Sequence, residues 1–65
     1  KIVVNGRLLT VNTKFSLKNL IEKLKTPINK VAIELNEEIV NKKKLNKIYL
    51  KNKDKIEIVH FIGGG

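Results

Sequence analysis

The sequence predicts an α+β fold in which one sheet of four to five strands is covered on one face by a single main helix. Three observations carry this. An Asn5-Gly6 pair separates two short apolar runs at the start of the chain, one amphipathic stripe at helical spacing follows, and most of the remainder reads as short alternating strands. At 65 residues the chain is one domain, near the lower size at which a chain folds alone. It has no cysteine, so neither disulfides nor thiolate-bound metal supply stability, and a compact, regular core must.

In chain order, Lys1-Ile2-Val3-Val4, Asn5-Gly6 and Arg7-Leu8-Leu9-Thr10-Val11 form a hairpin signal, because Asn-Gly suits the left-handed dihedrals of a type I′ turn. With Lys1 facing water, the two-residue period turns Ile2 and Val4 inward. Leu17, Leu20, Ile21 and Leu24 then follow the i, i+3, i+4, i+7 spacing of one helix stripe. Ser16 is a suitable N-cap, and Phe15 before it with Leu20 at the fourth helical position suits a hydrophobic staple. Lys23 and Lys25 lie near the negative end of the helix dipole, and Pro27 marks the exit by disfavouring helical geometry at Thr26.

Val31, Ile33 and Leu35 face inward from a strand over Lys30 to Asn36, and Asn36-Glu37-Glu38 turns the chain into a short strand at Ile39-Val40. Asn41 to Lys47 reads as a loop or short helical turn anchored by Leu45. Ile48, Tyr49 and Leu50 suit a brief strand, and Asn52-Lys53-Asp54 a turn. Lys55 to Ile62 is the most strand-like run and leads directly into glycine. Residues 1–62 thus make the folded domain and 63–65 a flexible tail. This order resembles the β-grasp, the ubiquitin-like fold. The resemblance implies a mixed sheet whose first and last strands pair in parallel at its centre, which periodicity does not show.

Composition narrows the function. One histidine, one aspartate, one arginine and no cysteine cannot build a catalytic triad or an ordinary transition-metal site, so the chain is not expected to be an enzyme. No apolar run reaches bilayer-spanning length and no signal peptide is visible. The formal charge is +8, and Asn41 to Lys55 holds seven lysines against one aspartate. Lys, Asn and Ile account for 30 of the 65 residues, as an AT-rich coding sequence produces. The lysines therefore read as a solvated face, as a rim that steers an acidic partner, or as a nucleic-acid surface. With Phe15, Tyr49 and Phe61 the only aromatics, the stacking platform of single-strand binders is missing.

Gly63-Gly64-Gly65 follow an apolar strand with no polar spacer. Such a run reads either as a flexible end or as a thread, since glycine, lacking a side chain, passes a narrow channel and presents its carboxylate inside another protein. That carboxylate is a poor electrophile until adenylated.

The Asn-Gly hairpin, the segment Val31-Ala32-Ile33-Glu34-Leu35-Asn36-Glu37-Glu38-Ile39-Val40 and the ending Asp54-Lys55-Ile56-Glu57-Ile58-Val59-His60-Phe61-Ile62-Gly63-Gly64-Gly65 resemble the ThiS family, the sulfur carriers of thiamine biosynthesis. The resemblance spans essentially the whole chain. It implies that a ThiF-type adenylyltransferase, using ATP and magnesium, converts the Gly65 carboxylate to an acyl-adenylate. A cysteine desulfurase relay then supplies sulfur to leave a terminal thiocarboxylate, and thiazole synthase accepts that sulfur for the thiazole ring.

On that resemblance the carrier binds no cofactor of its own, no nucleic acid and no membrane, and is a monomer when free. It works in the cytoplasm, or in the plastid stroma if plastid-encoded. Gly63 and Gly64 would thread into the partner, and Val59, Phe61 and Ile62 would dock. By the two-residue period Val59 and Phe61 share the face opposite Ile56 and Ile58, although Phe61 folded over the sheet edge as core is the competing reading. His60, a lone imidazole, reads as a solvated or hydrogen-bonded strand residue rather than a catalyst. The small subunit of molybdopterin synthase, another ubiquitin-like carrier or modifier, and a basic nucleic-acid-binding module are the alternatives.

Overall fold

A computed structural model describes residues 1–61. It contains β1 (Ile2–Val4), β2 (Arg7–Leu9), α1 (Leu17–Lys23), a 3₁₀ turn at Ile28–Lys30, β3 (Val31–Leu35), β4 (Glu38–Ile39), a 3₁₀ segment at Lys42–Lys47, and β5 (Lys55–His60). The five strands form one mixed sheet in the order β2-β1-β5-β3-β4. β5 lies at the centre, parallel to β1 and antiparallel to β3, as the β-grasp resemblance implies.

Both tight hairpins close through two left-handed residues. Val4 pairs with Arg7 across Asn5-Gly6, whose φ values of 49° and 83° give the two left-handed residues of a type I′ turn. Leu35 pairs with Glu38 across Asn36-Glu37, at φ 52° and 73°. Glu37 occupies there a conformation that glycine adopts without strain.

The helix begins as expected. The Ser16 hydroxyl accepts a hydrogen bond from the Asn19 N–H at 3.0 Å, and Phe15 packs against the core beside it. The helix stops at Lys23, three residues before Thr26, the position that Pro27 restricts. Lys25 turns left-handed (φ 55°), its N–H donating to the Glu22 carbonyl while the Thr26 N–H reaches back to Ile21, a Schellman closure. Leu24 is consequently the C-cap and is 40% exposed, so the buried stripe is Leu17, Leu20 and Ile21.

This stripe packs with Ile2, Val31, Ile33, Ile56 and Ile58 of the sheet, and Leu45 and Leu50 join the same core. The expected strand at Ile48–Leu50 reduces to one bridge between Ser16 and Tyr49, flanked by hydrogen bonds from Leu17 N–H to Ile48 and from Leu50 N–H to Phe15. The short strand after the β3 turn falls on Glu38–Ile39 rather than Ile39-Val40.

Candidate functional site

Three polar side chains hold β5 in place. Asp54, only 8% exposed, accepts hydrogen bonds from Asn36 Nδ2 (3.0 Å) and the Lys51 N–H (2.8 Å). Asn36 also accepts from the Lys55 N–H, which ties the β3–β4 turn to the first residue of β5. Asn5 Oδ1 accepts from the Ile58 N–H at 2.7 Å, so an asparagine selected for its turn conformation also extends the β1–β5 ladder. Sequence reading missed these roles. Asparagine in a turn was visible, but the partners lie 18 to 53 residues away along the chain.

From Ile58 onward the strand keeps its β3 partner, with Ala32 opposite Val59 and Val31 opposite His60. The Phe61 N–H donates to the Lys30 carbonyl at 2.9 Å. Ile56 and Ile58 face the helix and are buried, whereas Val59 and Phe61 are 54% and 47% exposed. Phe61 is therefore not a core residue, and the Lys42 ammonium lies 5.3 Å from its ring centroid.

The cross-strand pairs place Val3, Leu8, Ala32, Glu34, Ile39, Glu57 and Val59 on the same open face of the sheet. Leu8 and Ile39 there are 72% and 78% exposed, and Glu34 and Glu57 stand directly opposite each other. His60 is also exposed. The expected docking residue Ile62, the threading residues Gly63 and Gly64, and the modified residue Gly65 lie outside the described residues.

Among the described residues no three His, Cys, Asp or Glu side chains gather as metal ligands, and no helix is long and apolar enough to cross a membrane. The lysines of the 3₁₀ segment stand mostly exposed around the buried Leu45. What the described arrangement offers is a central strand that ends beside exposed apolar side chains.

Comparison with known proteins places this arrangement in a family. A crystal structure of the thiamine biosynthesis protein ThiS from Geobacter metallireducens superposes with a TM-score of 0.84 at 30% identity, covering 98% of this chain and 97% of that one. The sulfur carrier protein ThiS of Bacillus subtilis is 49% identical over 35 residues, covering 54% of this chain and 53% of that protein. A thiazole synthase of Paramagnetospirillum magneticum is 38% identical over 65 residues, and this chain spans 20% of its length. The family model described as "ThiS family" matches residues 2–65, and the chain belongs to that family.

Proposed function

We propose that this chain is a sulfur carrier of thiamine biosynthesis whose reactive group is the Gly65 carboxylate. The observation that supports it best is the placement of β5 in a chain of the ThiS family: its central strand leads into Ile62-Gly63-Gly64-Gly65. The chain is a protein co-substrate rather than a catalyst. The Gly65 carboxylate oxygen attacks the α-phosphorus of ATP, magnesium assists on the partner adenylyltransferase, and pyrophosphate leaves. A donor persulfide formed by a cysteine desulfurase then displaces AMP from the acyl carbon to give an acyl disulfide. A second thiol of the donor cleaves its S–S bond, leaving a disulfide on the donor and releasing the thiocarboxylate. Its sulfur, a soft nucleophile, passes to thiazole synthase.

Each part of the chain has a share in this reading. Gly63 and Gly64 carry no side chain to obstruct a narrow channel. Val59, Phe61 and Ile62 form the docking patch at the base of the tail. The exposed lysines around Leu45 raise the association rate with acidic partner surfaces. The free carrier is a monomer, placed in the cytoplasm or, where the gene is plastid-borne, in the stroma.

The test is intact mass. Incubation with a ThiF-type adenylyltransferase, ATP, magnesium and a sulfur source replaces one oxygen by sulfur, a gain of about 16 Da. Removing Gly65, or appending a residue after it, abolishes the gain while the fold persists. A variant with an appended residue that forms the thiocarboxylate at the native rate refutes the assignment.

A further inference from the structure

β5 is longer than its parallel neighbour. The β1 pairing ends at Val4 opposite Ile56, and the chain then turns away at Asn5-Gly6. On the other side the β3 pairing continues to His60. The direction of each backbone group follows from the ladder. Asn36 N–H donates to the Lys55 carbonyl and Phe61 N–H to the Lys30 carbonyl, so odd-numbered residues of β5 bond toward β3.

Even-numbered residues bond toward β1. The Asp54 carbonyl accepts from Val3 N–H, the Ile56 carbonyl accepts from Asn5 N–H, and Ile58 N–H donates to the Asn5 side chain. The next groups on that side are the Ile58 carbonyl and then the N–H and carbonyl of His60. Among the described residues no strand pairs with them there. Acceptor, donor and acceptor in a row along an extended strand are the open edge to which another extended backbone adds.

We infer that the edge from Ile58 to His60 is a β-addition site, and that its occupant is an extended segment of thiazole synthase at the mouth of the channel that receives the tail. The inference rests on the carrier reading. The occupant's chemistry is set by the edge itself, because alternating backbone donors and acceptors are matched by another backbone. The enzyme is indicated by the relatives: proteins named thiazole synthase from Paramagnetospirillum magneticum and Magnetococcus marinus each contain a stretch that aligns with all of this chain. A strand added at this edge aligns the chain just before the tail, beside the exposed Val59 and Phe61. Side-chain contact then adds to a backbone ladder that no side-chain substitution removes.

Proline at position 60 tests this directly. His60→Pro removes an N–H that no β3 carbonyl uses, and Val59 before it is already extended, as a residue preceding proline prefers. His60→Ala removes the imidazole and keeps the N–H. Affinity for thiazole synthase is expected to fall about tenfold or more in His60→Pro and by less than about twofold in His60→Ala. In the wild-type chain, hydrogen–deuterium exchange at the His60 amide slows on saturation with thiazole synthase. That reading decides the question should the proline variant fail to fold.

Native affinity in a folded His60→Pro variant, or a His60 amide that exchanges as freely in the complex as in the free chain, overturns the inference. If the wild-type chain meanwhile binds and forms its thiocarboxylate, the carrier reading stands without it. A wild-type chain that neither binds thiazole synthase nor gains the sulfur mass removes both.

Discussion

Replacing Asp54 by alanine is expected to cost about 2–4 kcal/mol of folding free energy. Asp54 is 8% exposed, and its carboxylate accepts from Asn36 Nδ2 and the Lys51 N–H, at 3.0 and 2.8 Å. Hydrogen bonds to a charged acceptor contribute roughly 1.5–3 kcal/mol each. The two do not add in full, because the exposed Asn36 amide can turn to water once its acceptor is gone. Total stability for a domain of this size is about 3–10 kcal/mol, so the loss is a large share of it.

Urea unfolding followed by circular dichroism measures this, with the slope unchanged if only the folded state is affected. Asp54→Asn serves as the control. It keeps the volume but turns an amide donor toward one of the two donors, and so falls close to the alanine variant. A double-mutant cycle with Asn36→Ala should return a coupling of about 0.5–3 kcal/mol. A loss below about 0.5 kcal/mol for Asp54→Ala, the size of an ordinary surface change, refutes the view that this residue secures the start of β5.

Leu20 is fully buried between helix and sheet, and Leu20→Ala should lower stability by about 2–5 kcal/mol in the same assay through lost transfer energy and a cavity. Lys25→Gly should stabilise. Relief of the left-handed strain at φ 55°, about 1–2 kcal/mol, outweighs the roughly 0.5–1 kcal/mol of added chain entropy, and the melting temperature rises by a few degrees. Phe61→Ala should weaken binding to the adenylyltransferase or thiazole synthase by more than about 1 kcal/mol, measured by calorimetry. Its stability should fall little, because the ring is 47% exposed and the contact with Lys42 is worth about 0.5–1 kcal/mol.

What was legible in the sequence is what depends on neighbours in the chain. Asn5-Gly6, the Ser16 cap and the Leu45 anchor are local patterns and stand as read, and of the stripe Leu17, Leu20, Ile21 and Leu24 the first three are buried. The helix end is local too, yet it was misplaced. Lys25 carries no sign of its left-handed conformation, because glycine usually marks that position. Leu24 consequently reads as core although it caps the helix.

Ile48–Leu50 has strand composition, but its partner is only the turn entering the helix, so one bridge forms where a ladder was expected. The roles of Asn5, Asn36 and Asp54 in the ladder, and the reach of Lys42 to Phe61, depend on contacts across the fold and leave no periodic trace. At the candidate site, the two-residue period was enough to separate the faces of β5. The expected modification and threading positions lie outside the described residues.

The constraints on β5 diminish along its length, and this gradient suits a carrier. At its start, Asp54 and Asn36 join the strand to two turns, and Val3 N–H bonds the Asp54 carbonyl. In its middle, Ile56 and Ile58 are buried under the helix, with strands or a strand-mimicking asparagine on both sides. From Val59 to Phe61 the side chains are exposed and, among the described residues, only β3 remains as a partner strand. Stability is thus concentrated where the strand enters the sheet. The exposed backbone edge and the apolar side chains lie where the strand leaves it, so a partner can engage them without breaking the core. Substitutions at the entry should change unfolding free energy, and those at the exit should change partner affinity. Asp54→Ala and Phe61→Ala sample the two ends of that gradient.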